Sequence, residues 1–385
     1  MKQKINLITA VGVTALLCAM TFTGTVFFMQ SRFRSAMLKY QRFAALDSYV
    51  QEHFYTEPDE ETLMDSALKG YVQGLNDRYS QYLTAEEYDT LMTKESGKTV
   101  GIGVSVIQNE EGYPEIVEVQ ENSPAENAGL VIGDVVKSVN REDVLAIGYA
   151  ESIDKIRGEE DTSVILTVAH ADGSEQEMTI IRKTFDITTV RSEMLKNQIG
   201  YIRIVSFREN TTEQFQKALD DLLNQGAEGL IFDVRNNGGG LLTALEKMLD
   251  PLLPEGVIAT ATYHGGVTED VVKSDANELN LPMVVLVNGN SASAAELFSA
   301  SLRDFKQAKL VGTQTFGKGV MQVTTRMADG GGLTLTVATY QTSVSECYHG
   351  VGLTPDVIVE ASDTWNPEIA DPETDIQLAE ALKLF

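Results

Sequence analysis

Residues 7 to 29 form one uncharged run, LITAVGVTALLCAMTFTGTVFFM, after Lys2 and Lys4 and before Arg32, Arg34 and Lys39. As a helix rising about 1.5 Å per residue, such a run can cross a hydrocarbon core of roughly 30 Å. A cleaved signal peptide would have a shorter apolar region and a small-x-small site soon after it. Here FFM is followed by Gln30, Ser31 and Arg32, so the pattern predicts an uncleaved signal anchor. Cys18 invites a lipid-anchor reading, but apolar sequence continues beyond it and the preceding Ala-Leu-Leu is a poor lipobox; it reads as a membrane-facing residue. The basic residues on the two flanks do not decide topology.

The pattern changes twice more. From about residue 35 to 96 apolar positions recur at i, i+3, i+4 and i+7, as in AALDSYVQEHFY and ETLMDSALKGYVQGL, predicting a helical region. Around NDRYSQYLTAEE, residues Leu75, Tyr79, Tyr82 and Leu83 suggest a turn packed on its own aromatics, with Thr84 as the next helix N-cap. Residues 97 to 185 are β-rich, with TVGIGVSVI, YPEIVEV, GDVVKSVN, SVILTVAH and EQEMTIIRK set between turn residues and one helix, YAESIDKIRG. From Gly200 apolar strands alternate with amphipathic helices: IGYIRIVSF, TEQFQKALDDLLNQG, GLIFDVRNN, LLTALEKMLDPLL, MVVLVNGN, SAAELFSASLRD and KLVGTQTF. That βαβ signature predicts an α/β core with strands buried on both faces.

Composition narrows the classes. The chain has 385 residues, 43% hydrophobic and 22% charged, which suits several folded modules rather than disorder. Its net charge of −26, from 56 acidic and 30 basic residues, would repel a phosphate backbone, so nucleic acid is excluded as a partner. Two cysteines, Cys18 and Cys347, stand too far apart in context to form a structural bridge. Nothing calls for a metal or a cofactor.

Chemistry has to be found among hydroxyls and their bases. His53, His170, His264 and His349 lie in no motif that marks a catalytic histidine, although His349, in CYHGVG, falls in the α/β part. A lysine desolvated in an apolar site can serve instead. MVVLVNGNSASAAELFSASLRD reads as a buried strand, a turn and a helix opening near Ser293, where the helix dipole favours developing negative charge. A serine-rich N-cap would look the same. The following KLVGTQTFGKGVMQ supplies Lys318 in a glycine-flanked turn and Gln322 four residues on, which alternation can place on one side of an extended segment.

Two resemblances follow from these motifs. Gly101, Ile102, Gly103 and Val104, followed by NSPAENAGLVIGDVVKSVN, resemble a PDZ domain; they correspond to its carboxylate-binding loop, which implies a peptide C-terminus as ligand. Ser293 in S-A-S-A-A-E, Lys318 in T-F-G-K-G and Gln322 resemble the carboxyl-terminal processing peptidases, serine peptidases with a Ser-Lys dyad, over nearly the whole soluble chain. IFDVRNNGGGLL matches that family's strand and loop, with Gly238 where proline is usual; Ala295 replaces a serine often found before Glu296. The resemblance implies Ser293 as nucleophile, Lys318 as general base and Gln322 as its orienting residue. It also implies an oxyanion hole from the N–H groups of Gly239 and Ala294, with Gly240 in reserve. The implied architecture is α/β: a crotonase/ClpP-like peptidase core with an inserted PDZ domain, an N-terminal helical region and one transmembrane helix. The divisions fall at 1–34 (stub and anchor), 35–96 (helical region), 97–185 (PDZ) and 186–385 (peptidase). Protein substrates held by their C-termini are the expected partners, a homo-oligomer is left open, and the place is a bacterial cell membrane, single-pass, with the catalytic part outside the cytoplasm. The competing class is a membrane-tethered PDZ binding module with an inert peptidase-like domain.

Overall fold

After Gly24 no glycine or proline interrupts the chain until Pro58, and helix α1 (Leu7–His53) runs unbroken through that stretch. The apolar run and the segment after it lie on one continuous helix of about 70 Å. Its Gly12–Met29 window has a mean hydropathy of 1.7 and no buried share, and among the described residues it is the single candidate span by length and composition. The computed structural model describes residues 7–275, 277–367 and 369–385; Lys2 and Lys4 lie outside them, as do the side chains of 7–11 and 30–39, including Arg32, Arg34 and Lys39. Helix α2 (Glu60–Gln73) follows. The chain divides into two compact units, residues 1–70 and 71–385.

Strand β1 (Gln81–Leu83) leads into α3 (Ala85–Glu95), whose start is fixed by a capping box: Thr84 Oγ1 accepts from Glu87 N at 3.2 Å and Glu87 Oε2 accepts from Thr84 N at 2.8 Å. The β-rich segment opens with β2 (Lys98–Gly101) and closes with β9 (Lys183–Asp186), which pair antiparallel as a neck. Between them stand β3 (Val104–Gln108), β4 (Pro114–Val119), α4 (Pro124–Asn127), β5 (Val135–Val139), β6 (Glu142–Asp143), α5 (Val144–Ile147), α6 (Tyr149–Ile156), β7 (Ser163–Ala169) and β8 (Glu175–Ile181). The strands order as β3-β4-β5-β7-β8, with β6 on β5, so β3 is an edge. Every second residue of β7 is buried, and Val164, Leu166 and Val168 pack with Ile116, Val136 and Val139 into a core of the segment's own.

At the end of β7, His170 Nδ1 lies 2.7 Å from the Asp134 carboxylate, which also accepts from Val131 N at 3.0 Å. That hydrogen bond raises the imidazole above its ordinary value, against desolvation. A raised folded-state value contributes stability that is complete below about 6.5 and is lost as pH rises through the folded value. The melting temperature of wild type should therefore hold steady relative to that of His170→Gln from about pH 5 to pH 6 and fall as pH rises from about 6.5 through the raised value. Parallel melting curves for the two proteins across that range would remove the ion pair from the account.

The remainder runs β10 (Val190–Met194), β11 (Ile199–Ile204), α7 (Thr211–Asn224), β12 (Gly229–Asp233), α8 (Leu242–Leu249), β13 (Gly256–Tyr263), β14 (Thr268–Ser274), β15 (Met283–Val287), α9 (Ala294–Lys306), β16 (Lys309–Gly312), β17 (Val320–Arg326), β18 (Gly332–Thr342), β19 (Val357–Ile358) and α10 (Ile376–Leu382). The sheet order is β10-β11-β12-β15-β16-β19, with β11 to β19 parallel and β10 antiparallel. Both faces are buried. Ile202, Phe232, Val285 and Leu310 pack with α7, α8 and α9, while Tyr201, Ile231, Val284 and Val311 pack with Leu378 and Ala381 of α10. Each such apolar side chain contributes about 1.5–3 kcal/mol.

The hydrophobic pattern did not announce a second sheet, β1-β18-β13-β14 with β17 on β18. The expected self-packed turn around Tyr82 is instead strand β1, paired antiparallel with Gly332–Thr334 of β18. Long-range contacts explain the difference: Thr336 N donates to Ser80 Oγ at 3.0 Å, Tyr82 Oη donates to Asp329 at 3.1 Å, and Tyr82 and Leu83 are buried.

Candidate active site

Parallel strands β12, β15 and β16 end on one side of their sheet, where loops usually carry the chemistry. Two of the loops are laced together. Asn236 Oδ1 accepts from the side-chain amides of Asn288 and Asn290, both at 2.9 Å; Ser291 Oγ donates to Val234 O at 2.7 Å; and Ala292 N donates to Asn237 O at 2.9 Å. Gly239 sits at φ +98, and a Cβ there would lie 2.8 Å from Ser293 Cβ and 2.9 Å from Ala294 N, so only glycine lets the loops approach this closely.

Ser293 stands at the N-cap of α9 with φ 57 and ψ −118, a strained turn that costs on the order of 1–3 kcal/mol and is characteristic of functional sites. Fully buried Glu296 holds it there. One oxygen, Oε2, accepts from Ser293 N at 3.0 Å and Lys318 N at 2.8 Å; the other, Oε1, accepts from Thr315 Oγ1 at 2.6 Å and Gly317 N at 2.7 Å. A single carboxylate thus fixes the backbone of both candidate dyad residues. In the sequence Glu296 stands only as the last residue of the S-A-S-A-A-E motif; its position in the helix's first turn, three residues past the serine, is the signal that marks it.

Ser293, Ala294, Gly239, Lys318 and Gln322 all line one cleft of about 1010 Å³. Within it the Lys318 amine lies 4.7 Å from the centroid of the Tyr79 ring, and the hydrogen bonds of the described side chains do not join it to Ser293 Oγ. Burial, then the Arg78 guanidinium, hold Lys318 below the ordinary lysine range, against the pull of Asp77 and Glu296. The Tyr340 hydroxyl donates to Lys318 O at 2.9 Å and lies 3.4 Å from Ser293 Oγ. Burial pushes that phenol well above its usual value, keeping it a donor at neutral pH. Tyr79 reads in the sequence only as part of a self-packed turn, and Arg78 and Tyr340 carry no mark there, because the segment before β1 and the length of β18 meet the candidate dyad only in three dimensions.

The Gly239 N–H donates to Asn237 Oδ1 at 2.8 Å, whereas among the described residues the N–H groups of Ala294 and Gly240 have no acceptor. Gln322 donates to Thr336 Oγ1 at 3.0 Å, across the strand pair, rather than to Lys318. His349 is exposed, and its Nδ1 accepts from Gly319 N at 3.3 Å, beside the lysine turn but outside the cleft lining. Gly101, Ile102, Gly103 and Val104 lie elsewhere, at the sheet edge between β2 and β3. There Ile102 O accepts from Ala125 N at 2.7 Å, and a Cβ on Gly103, at φ +89, would strike Ser123.

Just past β12, buried Arg235 is pinned by Asp233 at 2.5 Å, Asp375 at 2.6 Å and Gln377 at 2.9 Å. Burial alone would raise the Asp233 carboxyl, but Arg235 and Arg203 hold it below its usual value. Because Asp375 lies at the N-cap of α10, this pair ties the start of the loop after β12 to that helix.

Family models for peptidase family S41 and for the PDZ domain match residues 198–359 and 115–170. The chain is 34% identical over 360 residues to the carboxy-terminal processing protease CtpA of Bacillus subtilis (strain 168), covering 93% of this chain and 77% of that one. It is also 34% identical over 327 residues to a carboxyl-terminal-processing protease of Synechocystis, covering 83% and 76%. Among solved structures, a photosystem II D1 C-terminal processing protease superposes with a TM-score of 0.51 at 27% identity, covering 88% of this chain and 90% of that one. With a PDZ domain set ahead of its peptidase domain and relatives of one description matched over most of their length, the chain belongs to the carboxy-terminal processing serine proteases of peptidase family S41.

Proposed function

We propose that this protein is a membrane-anchored endopeptidase that cleaves protein substrates recognised by their C-terminal ends, with Ser293 as nucleophile and Lys318 as general base. The observation that carries this reading is the Glu296 carboxylate, which binds the backbone of both residues at the wall of one cleft. Neutral Lys318 takes the proton of Ser293 Oγ as that oxygen attacks the scissile carbonyl, and the protonated amine then passes it to the leaving nitrogen. The Ala294 N–H, with that of Gly239 once it leaves Asn237, or with that of Gly240, stabilises the tetrahedral oxyanion. Water hydrolyses the acyl-enzyme by the same proton relay in reverse. For the first step the lysine must swing from Tyr79 towards Ser293, with Gln322 orienting it from β17.

The open edge of β3 and the Gly101–Val104 turn receive a substrate's terminal carboxylate as an added strand. In this reading residues 1–34 are stub and anchor, 35–96 a helical region, 97–185 the PDZ domain and 186–385 a crotonase/ClpP-like core, supported by the parallel β11-β12-β15-β16 order. The anchor is a single pass of a bacterial cell membrane, with the peptidase on its outer side.

Paired substrates that differ only in a free or amidated C-terminus test the selection. Amidation should lower kcat/KM by roughly tenfold or more, since it removes a charge-assisted contact of about 1.5–3 kcal/mol. Equal cleavage of the two would leave the PDZ domain without this role.

A further inference from the structure

The surroundings of the Lys318 amine come from the segment just ahead of β1. The Arg78 guanidinium carbon lies 4.7 Å from the centroid of the Tyr79 ring and 5.0 Å from that of Phe316, and one of its nitrogens donates to the Tyr79 hydroxyl. The Lys318 amine lies 4.7 Å from that same Tyr79 centroid. Two basic side chains therefore share one tyrosine beside Ser293. Their proximity is built in: Ser80 Oγ donates to the Asp77 carboxylate at 2.6 Å and accepts from Thr336 N at 3.0 Å, while β1 is paired to β18.

We propose that Arg78 is a positioning residue of the active site: stacked on the ring that carries Lys318, its fixed positive charge keeps the lysine amine neutral and able to accept the serine proton. This rests on the Ser-Lys reading above. An arginine suits the task because it stays protonated at any working pH and holds its place by stacking as well as by charge. Other groups around the amine act differently. Asp77 and Glu296 favour the ammonium, but the first is engaged by Ser80 and Tyr79 N and the second by its four donors. The Tyr79 ring, with Lys318 and Arg78 both over it, also favours a cation and so acts against Arg78. Tyr340 meets Lys318 through its backbone carbonyl, and Cys347 and His349 flank Gly319. Among these groups Arg78 alone is a fixed cation, and after burial it is the larger influence depressing Lys318.

The test is the pH profile of kcat/KM for the full-length protein in detergent, as wild type, Arg78→Gln and Arg78→Lys. In Arg78→Gln the rising limb should move to higher pH, activity at neutral pH should fall roughly three- to tenfold, and the alkaline plateau should be retained. Arg78→Lys should return the limb towards wild type. A limb left in place by Arg78→Gln, or a loss equal at every pH, overturns the proposal, the second pointing to a merely structural role. Failure of the underlying reading looks different: wild type shows no rising limb, or Lys318→Ala keeps both activity and limb, and the proposal falls with it.

Discussion

Ser293→Ala should reduce peptide hydrolysis by on the order of a thousandfold or more, and Lys318→Ala by about as much, because nucleophile and base act as a unit and losing either removes the activated oxygen. The fold should survive both changes. Tyr340 Oη donates to the Ser293 hydroxyl over a long 3.4 Å, and the placement of the turn depends on backbone bonds to Glu296 that alanine leaves intact. Steady-state hydrolysis of a peptide with a free C-terminus, together with melting curves for each variant, checks both halves. Either variant turning over near the wild-type rate would end the dyad.

Glu296→Ala should have the second largest effect and, unlike the dyad variants, should also destabilise the protein. Its carboxylate satisfies Ser293 N, Lys318 N, Gly317 N and Thr315 Oγ1 in a site with no exposure. Stranding buried donors costs about 1–3 kcal/mol each, and partial relief by water or relaxation leaves a loss of roughly 3–5 kcal/mol. Activity should fall at least a hundredfold, since a displacement of about 1 Å between reacting groups is enough for that. Glu296→Gln keeps the shape but turns an amide towards N–H donors; it should melt closer to wild type while remaining poorly active. Full activity in Glu296→Gln would show that the carboxylate only fills space.

These two sites differ in how far the sequence discloses them. The strands and helices from Gly200 to Gly312 alternate with clear periods because each is buried on a face or a stripe, and the glycine-rich junctions between them lie where the loops meet. Ser293 and Lys318 were therefore visible, as residues at such junctions. Gly239 was visible as part of a glycine run, but its N–H bond to Asn237 was not, because a side-chain amide two residues away leaves no mark on the pattern. The second sheet stayed hidden since β1 is three residues long and owes its strand form to pairing with β18, far away in the chain. Arg78, Tyr79 and Tyr340 reach Ser293 and Lys318 only through that pairing and the adjacent strand β17. In the same way α1 runs through the expected boundary at residue 34 because nothing there breaks a helix, whatever the change in hydropathy.

The central claim, that Lys318 activates Ser293, is tested most directly by the rate at which a serine-directed phosphonofluoridate labels the protein as pH is varied, with the adduct mapped by peptide mass spectrometry. Labelling should fall on Ser293 alone, accelerate as pH rises through the depressed value of Lys318, and become slow in Lys318→Ala. A label on another residue, or equally fast labelling of Ser293 in Lys318→Ala, would contradict the account.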